Sequence, residues 1–199
     1  MNTIQTTETF DAWFSGLRDR KAKARIQARI DRAEEGNFGD CQPVRKGVSE
    51  MRVHHGAGYR VYFKHTGRDW VILLAGGDKS TQQADIKTAL RLARELEGLN
   101  MAKIKLRKWD SAAHLNSDED IALYLDACLA EAGDDPAFIA KALGNIARAR
   151  GMSQLARETG LGRESLYKAL SGEGNPSFAT ILKVIHALGV KLHAETAQA

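Results

Sequence analysis

The chain has 199 residues, a formal net charge of +4, 43% hydrophobic and 27% charged residues, and only 3 prolines. That length allows one ordinary domain or two small ones and excludes a large multilayer enzyme, while the composition excludes a disordered or collagen-like chain. No apolar run approaches the roughly 18 residues of a membrane span, and the N-terminus lacks the basic-then-apolar pattern of a secretion signal, so a cytoplasmic protein with no membrane partner is expected. The excess of Lys and Arg falls in the first half of the sequence, and a pI of about 9.1 raises the expectation of a polyanionic partner. Cys41 and Cys128 stand one in each half without a CxxC or Cys/His cluster, and no HxH or HExxH spacing occurs. They read as ordinary thiols, with neither a metal nor a cofactor expected.

In chain order, Thr7 to Ser15 predicts a short helix carrying Phe10, Trp13 and Phe14. Asp19 to Glu35 predicts a longer one with Ala22, Ile26, Ile30 and Ala33 on one stripe and Gly36 as its stop. After this helical hairpin come three strand candidates, Ser49 to His54, Tyr59 to Lys64 and Trp70 to Ala75, the first two joined by the loop His55-Gly56-Ala57-Gly58. Alternation sets Tyr59, Val61 and Phe63 against Arg60, Tyr62 and Lys64, and sets Met51 and Val53 against Arg52 and His54. If the apolar faces cover the hairpin, then Arg52, His54, Arg60, Tyr62 and Lys64 share an opposite, open face. Trp70 to Ala75 is nearly all apolar, as in a central strand buried on both sides, and its exit Gly76-Gly77-Asp78-Lys79 delivers Lys79 to the sheet's edge. A helix over Thr81 to Leu96, with Ile86, Leu90, Ala93 and Leu96 on one stripe, ends at Gly98.

The character of the chain changes at about residue 100, giving a first module over 1–98, a junction over 99–103 and a second module over 104–199. Met101 resembles an initiator, which fits two once-separate proteins joined end to end. The second module reads as helices throughout. Ser117 to Asp120 has capping-box spacing, followed by a stripe of Ile121, Tyr124, Leu125, Cys128, Leu129 and Ala132. Asp135-Pro136 opens a helix ended by Gly151, Ser153 to Thr159 forms the next, a turn at Gly160-Leu161-Gly162 leads into Arg163 to Ser171, and Ser177 caps one more before Gly189. Val190 to Ala194 is a candidate edge strand. The fold class expected is therefore α+β for the first module and all-α for the second.

Two constellations carry chemistry. Residues 153–171 look like a helix-turn-helix of the Cro/Xre type, with Ala156 small in the first helix, Gly160 in the turn, and Leu166 and Leu170 anchoring the second helix. Arg163, Glu164, Ser165 and Lys168 then face outward with types suited to base edges and phosphates, and Gln154 is placed for a backbone contact, so operator DNA is the expected partner of a homodimer. The other constellation is Arg52, Arg60, Tyr62 and Lys79. Cleaving RNA without metal requires deprotonating a 2′-hydroxyl, stabilising a phosphorane and protonating the departing 5′-oxygen; Arg and Lys serve the second task, and His, Tyr or Lys the others.

The strings Asp40 to Val44, Gly47 to Arg52, Gly58 to Phe63 and Leu74 to Ser80 resemble the RelE/ParE toxin superfamily, in its addiction-module-killer branch related to HigB-type toxins. Trp109-Asp110, Ser117 to Ala122 and Gly174 to Phe178 resemble the matching HigA-like antidote. The resemblance implies a type II toxin–antitoxin pair on one polypeptide. The first module would then be a RelE/ParE-like domain with a helical hairpin on a small antiparallel sheet, cleaving mRNA at the ribosome; the second would neutralise it and repress the shared promoter. Basic positions lining the mRNA site in such toxins correspond to Arg60 and Lys79, and less securely to Arg52. The family's catalytic Tyr or His near the C-terminus has no counterpart after Lys79, leaving Tyr62 or His54 to substitute, or charge alone to serve. ParE-like members instead poison gyrase, and a degenerate toxin is a further alternative. The stretch from Asp118 to Asp135 is strongly acidic, and residues 103 to about 133, with Asp118, Asp120, Tyr124 and Asp126 on the neutralising helix, are expected to pack on the first module and hold it inactive, in cis or between chains.

Overall fold

The computed structural model describes residues 1–97 and 104–193, so the predicted junction 99–103 lies outside the described residues. The chain forms two compact units, Met1–Ser111 and Ala112–Ala199.

The first unit contains β1 (Thr3–Thr7), α1 (Glu8–Gly16), α2 (Arg20–Glu34), β2 (Cys41–Arg45), β3 (Val48–Val53), β4 (Tyr59–Thr66), β5 (Trp70–Gly77), α3 (Gln82–Glu97) and β6 (Leu106–Lys108). They build a six-stranded sheet of order β2-β3-β4-β5-β1-β6. The expected small antiparallel sheet is thus larger and mixed, because β1 pairs parallel with β5. Thr7 joins strand to helix: its hydroxyl accepts from Phe10 N at 3.2 Å as the α1 cap and donates to Leu74 O at 2.7 Å. Asp19 caps α2 by accepting from Ala22 N at 3.0 Å. Pro43 is tolerated in β2 because that strand lies at the sheet's edge, where a missing N–H interrupts no inner ladder.

Both faces of the sheet are covered. Ile4, Met51, Val53, Val61, Phe63, Val71 and Leu73 pack with Phe10 and Phe14 of α1 and Ile26, Ile30 and Ala33 of α2. Phe10 and Phe14 stack with centroids 5.8 Å apart. On the other face Val48, Tyr62, Ile72, Leu74 and Ala75 pack with Ala89, Leu92, Ala93 and Leu96 of α3. The face expected to be open is therefore closed over most of its area, since the apolar stripe of α3 needs a sheet face to bury. The exit of β5 fits this arrangement through its glycines: a Cβ on Gly77 would lie 1.8 Å from Asp85 Oδ2. Gly77→Ala is expected to push the Asp85 carboxylate off the Thr81 hydroxyl and to cost about 1 kcal/mol; a thermal melt unchanged from the parent would contradict this close packing.

The second unit continues from a short 3₁₀ turn (Ser111–His114) into α4 (Asp118–Ala132), α5 (Pro136–Arg150), α6 (Met152–Thr159), α7 (Arg163–Ala169) and α8 (Phe178–Ala187). Ser117 caps α4, accepting from Asp120 N at 3.1 Å, and Asp135 caps α5, accepting from Ala137 and Phe138 N at 3.1 Å each. Gly160 ends α6 in the left-handed region at φ 68°, a geometry that glycine adopts without strain. α6 packs against α5, α7 and α8, with Leu143, Ile146, Leu155, Leu166 and Val184 buried. Val190 to His193 form no strand, and Ala194 lies outside the described residues. The architecture is mixed α+β, and among the described residues no helix is long and apolar enough to cross a membrane.

Candidate functional site

At one end of the sheet, neighbouring strands present charged side chains side by side. Arg52 on β3 and Arg60 on β4 are direct cross-strand partners, and Arg60 in turn pairs with Gly77 of β5. Arg60 Nη1 donates to Gly58 O at 3.1 Å, and the backbone N–H of Lys79 reaches Ala57 O at 3.5 Å. The β3–β4 turn thus ties Arg60 to the segment carrying Lys79, whose side chain is exposed. Three of the four residues expected in the RNA-cleaving constellation therefore occupy one neighbourhood.

Tyr62 is the correction. It is fully buried among the residues of α3, and its hydroxyl has no hydrogen-bond partner among the described residues. Burial pushes its phenol well above the ordinary tyrosine range; Glu50 and Asp85 push the same way, and Arg60 and Arg52 oppose them. A hydroxyl so placed neither reaches a solvent-borne substrate nor ionises near neutral pH, so it is no candidate for the proton-transfer role. Lys64, from the same set, turns to Glu97 of α3, which it binds by a short ion pair. His54 is exposed just beyond β3, with its Nε2 2.6 Å from Asp40 Oδ2. A neutral ring that donates from Nε2 to this carboxylate would carry its free lone pair on Nδ1.

Carboxylates that the sequence reading passed over set the electrostatics. Glu50, with a side chain only 4% exposed, accepts from Arg52 Nε at 2.9 Å and stands 3.7 Å from Arg60 Nε. Arg52 Nη2 also donates to Gln42 Oε1 at 2.7 Å. Thr81 donates to Asp85 at 2.6 Å at the start of α3, and Asp78 accepts from Ser80 N at 2.8 Å and from its hydroxyl at 2.5 Å. Those bonds from Ser80 hold the Asp78 carboxyl below its usual range, with Arg60 a smaller influence. The three cations are thus accompanied by three anions. The available signal for Glu50 was its alternation: it shares a strand face with Arg52, and an acidic residue on that face between two arginines is a natural clamp.

In the second unit Gln154, Arg163, Glu164, Ser165 and Lys168 are all exposed, and Leu166 and Leu170 are buried beneath them. Gln154 Nε2 donates to Glu158 Oε1 at 2.8 Å, one turn along α6. The acidic helix α4 is divided in its loyalties. Asp118 pairs with Arg150 at 2.5 Å, Asp120 accepts from Asn116 N at 3.3 Å, and Asp126 is exposed. Tyr124, expected on the neutralising surface, is buried in its own unit with its hydroxyl accepting from Asn145 at 2.9 Å, because the α4 stripe that contains it is the one that packs on α5.

An α+β unit with a clustered charged sheet end, followed by a helical unit with an exposed polar helix, defines a two-module protein. Residues 12–96 match the family model described as "Phage derived protein Gp49-like", and residues 105–196 match the model described as "Probable addiction module antidote protein". Two uncharacterized proteins of Haemophilus influenzae are similar to parts of the chain. One is 56% identical over 93 residues, covering 94% of that protein and 47% of this chain; the other is 53% identical over 91 residues, covering 92% and 46%. No solved structure matches the chain. The chain belongs, module by module, to these Gp49-like and addiction-module antidote families, which together support a toxin–antitoxin system.

Proposed function

We propose that this polypeptide carries both members of a toxin–antitoxin pair. The first module is a latent RNA-cleaving toxin, acting on mRNA at the ribosome; the second neutralises it, binds operator DNA and represses its own promoter. The observation that carries the first half is the Arg52–Arg60 cross-strand pair with Lys79 tied to the same end of the sheet. The guanidiniums and the ammonium hold the scissile phosphate and stabilise its developing charge. With Tyr62 buried, His54 oriented by Asp40 takes the 2′-hydroxyl proton as the O2′–P bond forms and the P–O5′ bond breaks, and the departing 5′-oxygen takes its proton from solvent. Glu50 occupies the guanidiniums until phosphate displaces it. Inducing residues 1–111 and comparing them with the whole chain tests this: growth arrest with cut mRNA supports it, and arrest with intact mRNA and broken DNA refutes it in favour of gyrase. The balance of cations by Glu50, Asp78 and Asp85 favours a second reading, in which the module is a toxin without nuclease activity or has lost its activity; indifference of cells to residues 1–111 would establish the latter.

For the second module, the exposed set on α7 over a buried Leu166–Leu170 seam supports a helix-turn-helix reading. Arg163→Ala is expected to weaken operator binding by about 1–3 kcal/mol if the guanidinium reads a base. A gel-shift titration that shows equal affinity would remove Arg163 from the interface. Phe178 and Leu182, 69% and 43% exposed on α8, supply an apolar surface suited to the second copy that a palindromic operator requires.

A further inference from the structure

The antidote match begins at residue 105, yet the first compact unit extends to Ser111. The opening residues of the antidote are therefore built into the Gp49-like fold. β6 pairs antiparallel with β1 in the register Gln5↔Lys108, Thr6↔Arg107 and Thr7↔Leu106. Trp109 N–H extends this ladder by donating to Ile4 O at 3.0 Å. Side chains of the segment reach both cores: Ile104 and Leu106 pack on the α3 side, and Trp109 enters the core under α1 and α2. The indole is 6% exposed, edge-on to Phe14 at 5.2 Å and to Phe10 at 6.1 Å.

Polar groups make this slot selective for an indole rather than for any large apolar side chain. Trp109 Nε1 donates to Asp31 Oδ1 and to Ser111 Oγ, each at 3.0 Å, and Ser111 Oγ donates in turn to Asp31 by a short bond. Gln27 Nε2 donates to Ser111 O at 2.9 Å. Gln27 and Asp31 are 2% and 6% exposed and stand one turn apart on α2, an otherwise apolar buried face. Buried polar side chains in such a face are costly without partners, and the segment supplies partners to both. Adding a strand to an open sheet edge gives affinity through main-chain bonds and specificity through alternate side-chain pockets.

The geometry points to residues 104–111 as the mooring that holds the antidote on the Gp49-like module, by strand addition to β1 with Trp109 as the plug. This edge is separated from the strand of Arg60 by β5 and β1, so attachment is distinct from occupation of the charged sheet end. The inference rests on the toxin–antidote reading only for the identity of the two modules; association is read without RNA or DNA. The test is made on the full chain, with a protease recognition sequence inserted between Asn100 and Met101. After cleavage the halves are expected to co-migrate in size-exclusion chromatography, and Trp109→Ala is expected to weaken their association roughly 100-fold. A synthetic peptide of residues 104–114, added in excess to the cleaved parent protein, should displace the antidote half, while the same peptide with Trp109→Ala should not. The peptide arm decides the matter even where the protein variant folds poorly. Separation of the parent halves, full retention by Trp109→Ala, or equal competition by both peptides would overturn the mooring.

Discussion

Replacing Glu50 by alanine is expected to lower the stability of the first unit by about 3 kcal/mol. The carboxylate is nearly inaccessible and lies against two guanidiniums on adjacent strands, receiving Arg52 through Nε at 2.9 Å and Nη2 at 2.8 Å. Without it, Arg52 and Arg60 face each other as like charges directly across the ladder, where repulsion adds to the loss of the pairing. Both arginines retain some solvent contact, 29% and 14% of their side chains, which relieves part of the penalty and keeps the figure at the lower end for a broken buried pair. Glu50→Gln keeps the shape and an acceptor and should lose less. Urea unfolding reads both; a midpoint for Glu50→Ala equal to the parent's would show that the carboxylate is no clamp.

RNA cleavage should fall about 100-fold or more in Arg60→Ala, and by at least about tenfold in Lys79→Ala, if these cations stabilise the phosphorane. Arg60→Lys is not expected to restore the rate, because an ammonium cannot reproduce the planar fork of a guanidinium on a phosphate. Lys79 is exposed, so its removal should leave the melting temperature unchanged and isolate the chemical effect. Arg60 also touches Glu50 and Gly58, so its variant must be compared with the parent at a temperature where both are folded. Cleavage at the parental rate by either folded variant would remove that residue from the site.

The parts of this fold that were legible in the sequence are those written in local periodicity. The β3–β4 hairpin shows in the alternation of Met51 and Val53 against Arg52, and of Val61 and Phe63 against Arg60; α1, α2 and the helices of the second unit show in their stripes and caps. β1 was illegible because Thr3–Thr7 offers Ile4 as its one large apolar side chain, and its parallel pairing with β5 is a contact between segments remote in sequence. The stripe of α3 was visible, but not which sheet face it would cover, and the whole misplacement of Tyr62 follows from that. Tyrosine is at home both on a wet face and in a core, so alternation alone could not decide its environment. The Trp109 slot had a trace in the sequence: Gln27 and Asp31, one turn apart beside Ile26 and Ile30, are polar residues where a buried helix face should be apolar. Their partners lie about eighty residues away in the chain, beyond what periodicity reports.

On the proposed function, the charged end of the sheet directs attack of the RNA's own 2′-hydroxyl on the adjacent phosphate. The most direct measurement is the chemistry of the RNA ends produced when residues 1–111 are induced, with Arg60→Ala as the control. New fragments bearing 2′,3′-cyclic phosphate and 5′-hydroxyl ends are expected, and these should disappear in the variant. Intact RNA accompanied by DNA breaks, or fragments with 5′-phosphate ends that persist in Arg60→Ala, would contradict it.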